Sequence, residues 1–73
     1  MQVIAFGQLA EITGKDFQAE AGDTDDLSAQ LEAKYAGLKN LRYVIAVNKK
    51  IISSNTSLSG NDTVALLPPF SGG

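Results

Sequence analysis

The sequence predicts an α+β domain, a mixed β-sheet with one main helix packed across it. Three observations lead there. Apolar runs suited to strands lie near both ends, at Val3-Ile4-Ala5-Phe6 and at residues 63–67. One long segment between them carries apolar residues at helical spacing. The 73 residues, 44% hydrophobic and 19% charged, suit a single globular domain.

The elements follow in chain order. Val3 to Phe6 is continuously apolar, which suits a strand in the middle of a sheet and covered on both faces. Gly7 breaks it. Gln8 to Thr13 places Leu9 and Ile12 three apart before Gly14, which reads as one short helical turn. From Asp16 to Ala21 the pattern alternates, with Phe17, Ala19 and Ala21 on one face, as in a half-exposed strand. Asp23 or Thr24 can cap a helix, and Asp25 and Asp26 favour its positive end. Leu27, Leu31, Tyr35 and Leu38 then recur at helical spacing, with Gly37 as a left-handed stop. Tyr43 to Val47 is a further strand, Asn48-Lys49 a turn, and Lys50 to Ser53 a short return strand. Residues 55–61 form a polar loop in which Leu58 stands alone. Thr63 to Leu67 is the last strand, ended by Pro68-Pro69, since proline has no amide hydrogen for a ladder. Terminal strands lying side by side at the centre of a mixed sheet, with one helix across it, make the β-grasp (ubiquitin-like) architecture. The expected division is a domain over 1–69 and an extended Gly-Gly tail over 70–73.

Composition narrows the chemistry. The chain has no cysteine, which excludes a disulfide, a thiolate nucleophile and a thiolate metal site. It also has no histidine, the commonest general base and metal ligand. The net charge is −2 and the six basic residues are dispersed, which argues against nucleic-acid binding. No apolar stretch approaches the roughly 20 residues of a membrane span. Met1 to Phe6 is too short for a signal peptide and lacks a basic flank. A cytoplasmic location is expected, with no membrane partner. Asp23, Asp25 and Asp26 read as cap and dipole partners, so no metal site is expected.

What remains is the tail. Phe70, Ser71, Gly72 and Gly73 follow the two prolines, and fully extended they reach about 13 Å beyond the fold. Two prolines favour a stiff exit. Gly72 and Gly73 can enter a tunnel too narrow for a residue with a Cβ. The α-carboxylate at Gly73 is ionised at neutral pH. A carboxylate is a competent nucleophile toward the α-phosphate of ATP, and a sulfur donor can displace the adenylate to leave a thiocarboxylate. The chain has no phosphate-binding glycine loop, so activation falls to a partner.

Residues 62–73, Asp-Thr-Val-Ala-Leu-Leu-Pro-Pro-Phe-Ser-Gly-Gly, resemble the C-terminal signature of the MoaD/ThiS sulfur carriers, most closely the MoaD small subunits of molybdopterin synthase. Residues 6–14 resemble the segment between that family's first two strands, and Ala46-Val47-Asn48 is also similar. The resemblance implies a carrier that is not an enzyme by itself and binds no cofactor permanently. A MoeB-type enzyme would use ATP to adenylate Gly73, and a sulfurtransferase would supply sulfur. A MoaE-type large subunit, usually in a heterotetramer, would take the tail and pass sulfur to cyclic pyranopterin monophosphate. Apolar residues matching the family's contact with that subunit are Phe6, Leu58 and Leu67, joined by Phe70 and Ser71 in the tail. Phe6 and Leu67 are equally compatible with a core, and Leu58 with folding back onto the sheet. Two alternatives stay open: a ThiS-like carrier for thiamine thiazole assembly, and a ubiquitin-like modifier or binding module.

Overall fold

A computed structural model of the chain describes residues 1–69, and the expected tail at 70–73 lies outside them. The elements are β1 (Gln2–Ala5), α1 (Gln8–Thr13), β2 (Asp16–Gln18), α2 (Thr24–Lys34), a 3₁₀ turn (Ala36–Asn40), β3 (Val44–Val47), β4 (Lys50–Ile51) and β5 (Thr63–Leu67). The five strands form one sheet in the order β2-β1-β5-β3-β4. The terminal strands β1 and β5 run parallel at its centre, and the other pairs are antiparallel.

The main helix forms where its caps demand. The Asp23 carboxylate accepts the Asp26 N–H at 2.8 Å, satisfying one of the free donors of the first turn. Thr24, almost fully buried, ties this helix start to the loop before β5. Its hydroxyl accepts the Thr56 N–H at 3.0 Å and donates to Asn55 Oδ1 at 3.3 Å. The helix ends at Tyr35, whose φ of −123° has left the helical region. Gly37 is therefore not a left-handed stop but part of the 3₁₀ turn that follows. That turn buries Leu38 completely, so the apolar spacing from Leu27 to Leu38 serves two elements and not one helix.

The core lies between α2 and one face of the sheet. Val3 and Ala5 of β1 and Val64 and Leu66 of β5 meet Leu27 and Leu31 of α2, with Leu9 and Leu38 closing the ends. Each fully buried leucine contributes about 1.5–3 kcal/mol by leaving water. Phe17, Ala19 and Ala21 pack against this cluster from one side, as their alternation predicts. Tyr43 fastens β3 to the helix by donating its hydroxyl to Glu32 Oε2 at 2.8 Å. Burial pushes that hydroxyl above its ordinary pKa of 10, and the neighbouring Glu32 carboxylate acts in the same direction.

One expectation fails in an informative way. The run Val3 to Phe6 is central in the sheet but covered on one face only. Val3 and Ala5 are buried while Phe6 keeps 47% of its surface exposed. Among the described residues the helical layer covers one face of the sheet and leaves the other without a second layer.

Candidate functional site

The strand that leads to the C-terminus occupies the middle of the sheet. β5 pairs with β1 through Gln2–Thr63 to Ala5–Leu66, and with β3 through Val44–Leu67 to Val47–Val64. The β1 ladder continues one step further, with the Phe6 N–H donating to the Leu66 carbonyl at 3.1 Å. A strand clamped on both sides has little freedom, so its end and the following Pro68-Pro69 leave the domain at a defined place.

Strand alternation sorts side chains to opposite faces. Val64 and Leu66 turn to the core, and Thr63, Ala65 and Leu67 turn away from it. The registers then align Ile4, Ala65, Ala46 and Ile51 in one row across β1, β5, β3 and β4. Phe6 and Ile51, the large apolar side chains left exposed among the described residues, stand on this outer face, at 47% and 57% exposure. Between the strands a depression of about 420 Å³ is lined by Ile4, Phe6, Asn48, Lys49, Thr63 and Ala65. On the other side of Phe6 a second depression of about 550 Å³ is bounded by Ala10, Glu11, Lys15 and Asp16. Phe6 thus forms a ridge between two hollows, close to where the chain exits.

The hairpin at the far edge of this face is held by side chains. Asn48 and Lys49 both take positive φ, 50° and 73°, as a two-residue primed turn requires. Asn48 Nδ2 donates to Asp62 Oδ1 at 2.9 Å, and the Thr63 N–H donates to Asn48 Oδ1 at 3.0 Å. Asp62 also accepts the Ser59 N–H at 2.8 Å. The Asn48 hydrogen bond, helped by Ser59, holds the Asp62 carboxyl below its ordinary range. The network joins the β3–β4 turn to the entry of β5.

The structure brings Phe6 and Leu67 together on the outer face beside the exit. It does not bring Leu58 to them. Leu58 is half-buried against the core cluster, and its N–H donates to the Gly22 carbonyl at 2.9 Å, near the start of α2. That is the end of the sheet where β5 begins, whereas the tail departs from the other end. Phe70, Ser71, Gly72 and Gly73 lie outside the described residues. Ile51 was not singled out from the sequence. A two-residue strand has no periodicity, so only its pairing with Ala46 shows which face Ile51 joins. Ile4 and Ala65 were missed because a continuous apolar run does not say which of its alternate side chains face the core.

The ThiS family model matches residues 3–73, nearly the whole chain. The chain belongs to the ThiS family. It is 33% identical to the molybdopterin synthase sulfur carrier subunit of Chlamydomonas reinhardtii, over 100% of this chain and 98% of that one. It is 29% identical to the protein of the same name from Escherichia coli (strain K12), over 100% and 99% of the two chains. Its fold matches a chain in the protein–protein complex of subunits 1 and 2 of molybdopterin-converting factor from Helicobacter pylori 26695. That match has a TM-score of 0.73 and 35% identity, over 99% of this chain and 96% of the other.

Proposed function

We propose that this chain is the sulfur-carrier small subunit of a molybdopterin synthase, with the carboxylate of Gly73 as the group that carries sulfur. The observation that carries the proposal is the path of β5. The central strand of the sheet runs out beside an apolar face that no other described residue covers, and the sequence continues from it as Pro-Pro-Phe-Ser-Gly-Gly. The names borne by the relatives of matching length agree with this reading.

In the proposed cycle a carboxylate oxygen of Gly73 attacks the α-phosphate of ATP on a MoeB-type enzyme, and pyrophosphate leaves. The outer sulfur of a sulfurtransferase persulfide attacks the acyl carbon and expels AMP. A second thiol then cleaves the S–S bond of the acyl disulfide, releasing the thiocarboxylate and leaving a disulfide between the two thiols. In a MoaE-type large subunit that sulfur passes to cyclic pyranopterin monophosphate, and hydrolysis returns the carboxylate. The catalytic side chains belong to the partners, and this chain supplies reach, a narrow end and a docking face. Phe6 and Leu67, with Ile51 added from the register, form the contact on that face, and Phe70 and Ser71 continue it into the tail. Leu58 gives most of its surface to the core, so only its exposed margin is available to a partner. The carrier acts in the cytoplasm.

Deletion of Gly73, or addition of one residue after it, is expected to abolish dithiolene formation with purified partners while the circular dichroism spectrum stays unchanged. A tailless protein that still supports molybdopterin formation rules the proposal out. Offering the thiocarboxylate a thiazole precursor in place of the pterin separates this carrier from one serving thiamine assembly.

A further inference from the structure

We infer that Gly7 is a positioning residue for the tail, acting through Pro68. This rests on the proposed role of Gly73 and adds to it a determinant at the opposite end of the sequence. Gly7 adopts φ 60° and ψ −137°, the mirror image of an extended conformation, which side-chain-bearing residues avoid. A Cβ at this position stands 3.0 Å from Pro68 Cγ and 4.0 Å from Pro68 Cδ. Carbon atoms ordinarily sit about 3.5–4.0 Å apart, so the missing side chain is the room that the Pro68 ring occupies.

The geometry also decides which partner would give way. The turn holding Gly7 is tied on three sides. The Phe6 N–H donates to the Leu66 carbonyl at 3.1 Å, the Leu9 N–H to the Phe6 carbonyl at 3.2 Å, and the Ala10 N–H to the Gly7 carbonyl at 3.1 Å. Leu9, 1% exposed, anchors the helix that follows. Pro68 lies past the end of β5 and donates no hydrogen bond, and its ring is part of the backbone. Crowding at Gly7 therefore redirects the chain at Pro68, and stiff Pro69 passes the new direction on. The β1–α1 turn thus serves as a rest that sets the direction of the chain at Pro68-Pro69.

A Cβ at 3.0 Å requires Pro68 to give by a few tenths of an ångström, and a reacting end carried by it moves by at least a comparable distance. A misplacement of about 1 Å costs on the order of 10²-fold in rate, so a shift of a few tenths of an ångström in Gly7→Ala is expected to lower kcat by about 5- to 10-fold. Phe6 and Leu67 keep their backbone pairing on the sheet, so the loss falls mainly on kcat and the KM for the carrier changes less than kcat does.

The test is sulfur transfer from the thiocarboxylated chain to the pterin precursor on the purified large subunit, below the melting temperature of every variant. Gly7→Ala, Pro68→Ala and the double variant are compared, with Gly73 deletion alongside. Pro68→Ala alone is expected to lower kcat only about threefold, because it loosens the exit without crowding it. The double variant is expected to return to the Pro68→Ala rate while keeping the lowered melting temperature of Gly7→Ala, which separates positioning from stability. A Gly7→Ala kcat within about threefold of the parent overturns the inference, as does a double variant no faster than Gly7→Ala. If Gly7→Ala does not fold, the Pro68→Ala arm decides, and a kcat equal to the parent's overturns it. An active Gly73 deletion removes the functional proposal itself. An inactive deletion beside a normal Gly7→Ala removes only the role of Gly7.

Discussion

Truncating Phe6 to alanine should weaken the complex with the large subunit far more than it weakens the fold. Phe6 keeps 47% of its surface exposed on the outer face of the sheet. Aromatic side chains bury roughly 150–250 Å², so about 90 Å² remains for a partner to cover, worth ~2 kcal/mol at about 25 cal/mol per Å². That corresponds to roughly a 30-fold rise in Kd. Ile51, 57% exposed on β4, should contribute ~1.3 kcal/mol and about 10-fold, taking that fraction of the roughly 1.5–3 kcal/mol that full burial of an isoleucine is worth. The two stand three strand spacings apart, about 14 Å, far enough for their effects to add, so Phe6→Ala with Ile51→Ala should cost roughly 300-fold. Calorimetric titration of each variant into purified large subunit measures this, with exposed Lys39→Ala on the helical side as the control. Folding is followed by thermal denaturation of the free chains. A Kd within about twofold of the parent in a folded double variant refutes the assignment of this face, since ~3 kcal/mol of contact cannot vanish unnoticed.

Three further outcomes follow from the geometry. Lys49 sits at φ 73°, where a side chain costs about 1–2 kcal/mol, so Lys49→Gly should raise stability in urea by up to about 1 kcal/mol, and a loss would mean the turn is not of the primed type. Tyr43→Phe removes the bond to Glu32 and should cost about 1 kcal/mol in the same assay. Because the folded state raises the Tyr43 pKa, its contribution is full below pH 10 and lost as pH rises through the folded value, so alkaline destabilisation should be smaller in Tyr43→Phe. Asp62 has the opposite sign. Its folded pKa is lowered, so its contribution is present above the ordinary 3.8 and lost as pH falls through the folded value. Asp62→Asn should flatten the acid limb of stability against pH, and an unchanged limb would show that the Asn48–Asp62 bond does not persist in solution.

The parts of this fold that the sequence makes legible are those with strong local causes. Asp23 before an apolar stripe gives the start of α2, and two prolines after an apolar run give the end of β5. Asn48 gives the hairpin, although Lys49 in the second positive-φ position is a residue that turn rules disfavour. The misreadings have equally local reasons. Gly37 looks like a stop because it follows three residues at helical spacing, yet the chain leaves the helix at Tyr35 and tightens into a 3₁₀ turn that delivers Leu38 to the core. Val3 to Phe6 looks doubly covered because continuous apolarity has the same appearance whether the second cover is a helix of the chain or a face left open. Leu58 looks unexplained in its loop until the hydrogen bonds between residues 55–58 and Thr24 and Gly22 fold that loop against the helix start. The Gly7–Pro68 contact joins residues 61 positions apart and leaves no pattern in the sequence beyond a glycine after a strand.

Intact-mass analysis of the chain purified from its own cells is the most direct test of the reactive terminus. A C-terminal peptide in which one oxygen of the Gly73 carboxylate is replaced by sulfur, and which reverts on incubation with the large subunit and its pterin substrate, is the expected result. A terminus found only as the free carboxylate, even with the activating enzyme and sulfurtransferase supplied in excess, would contradict the account.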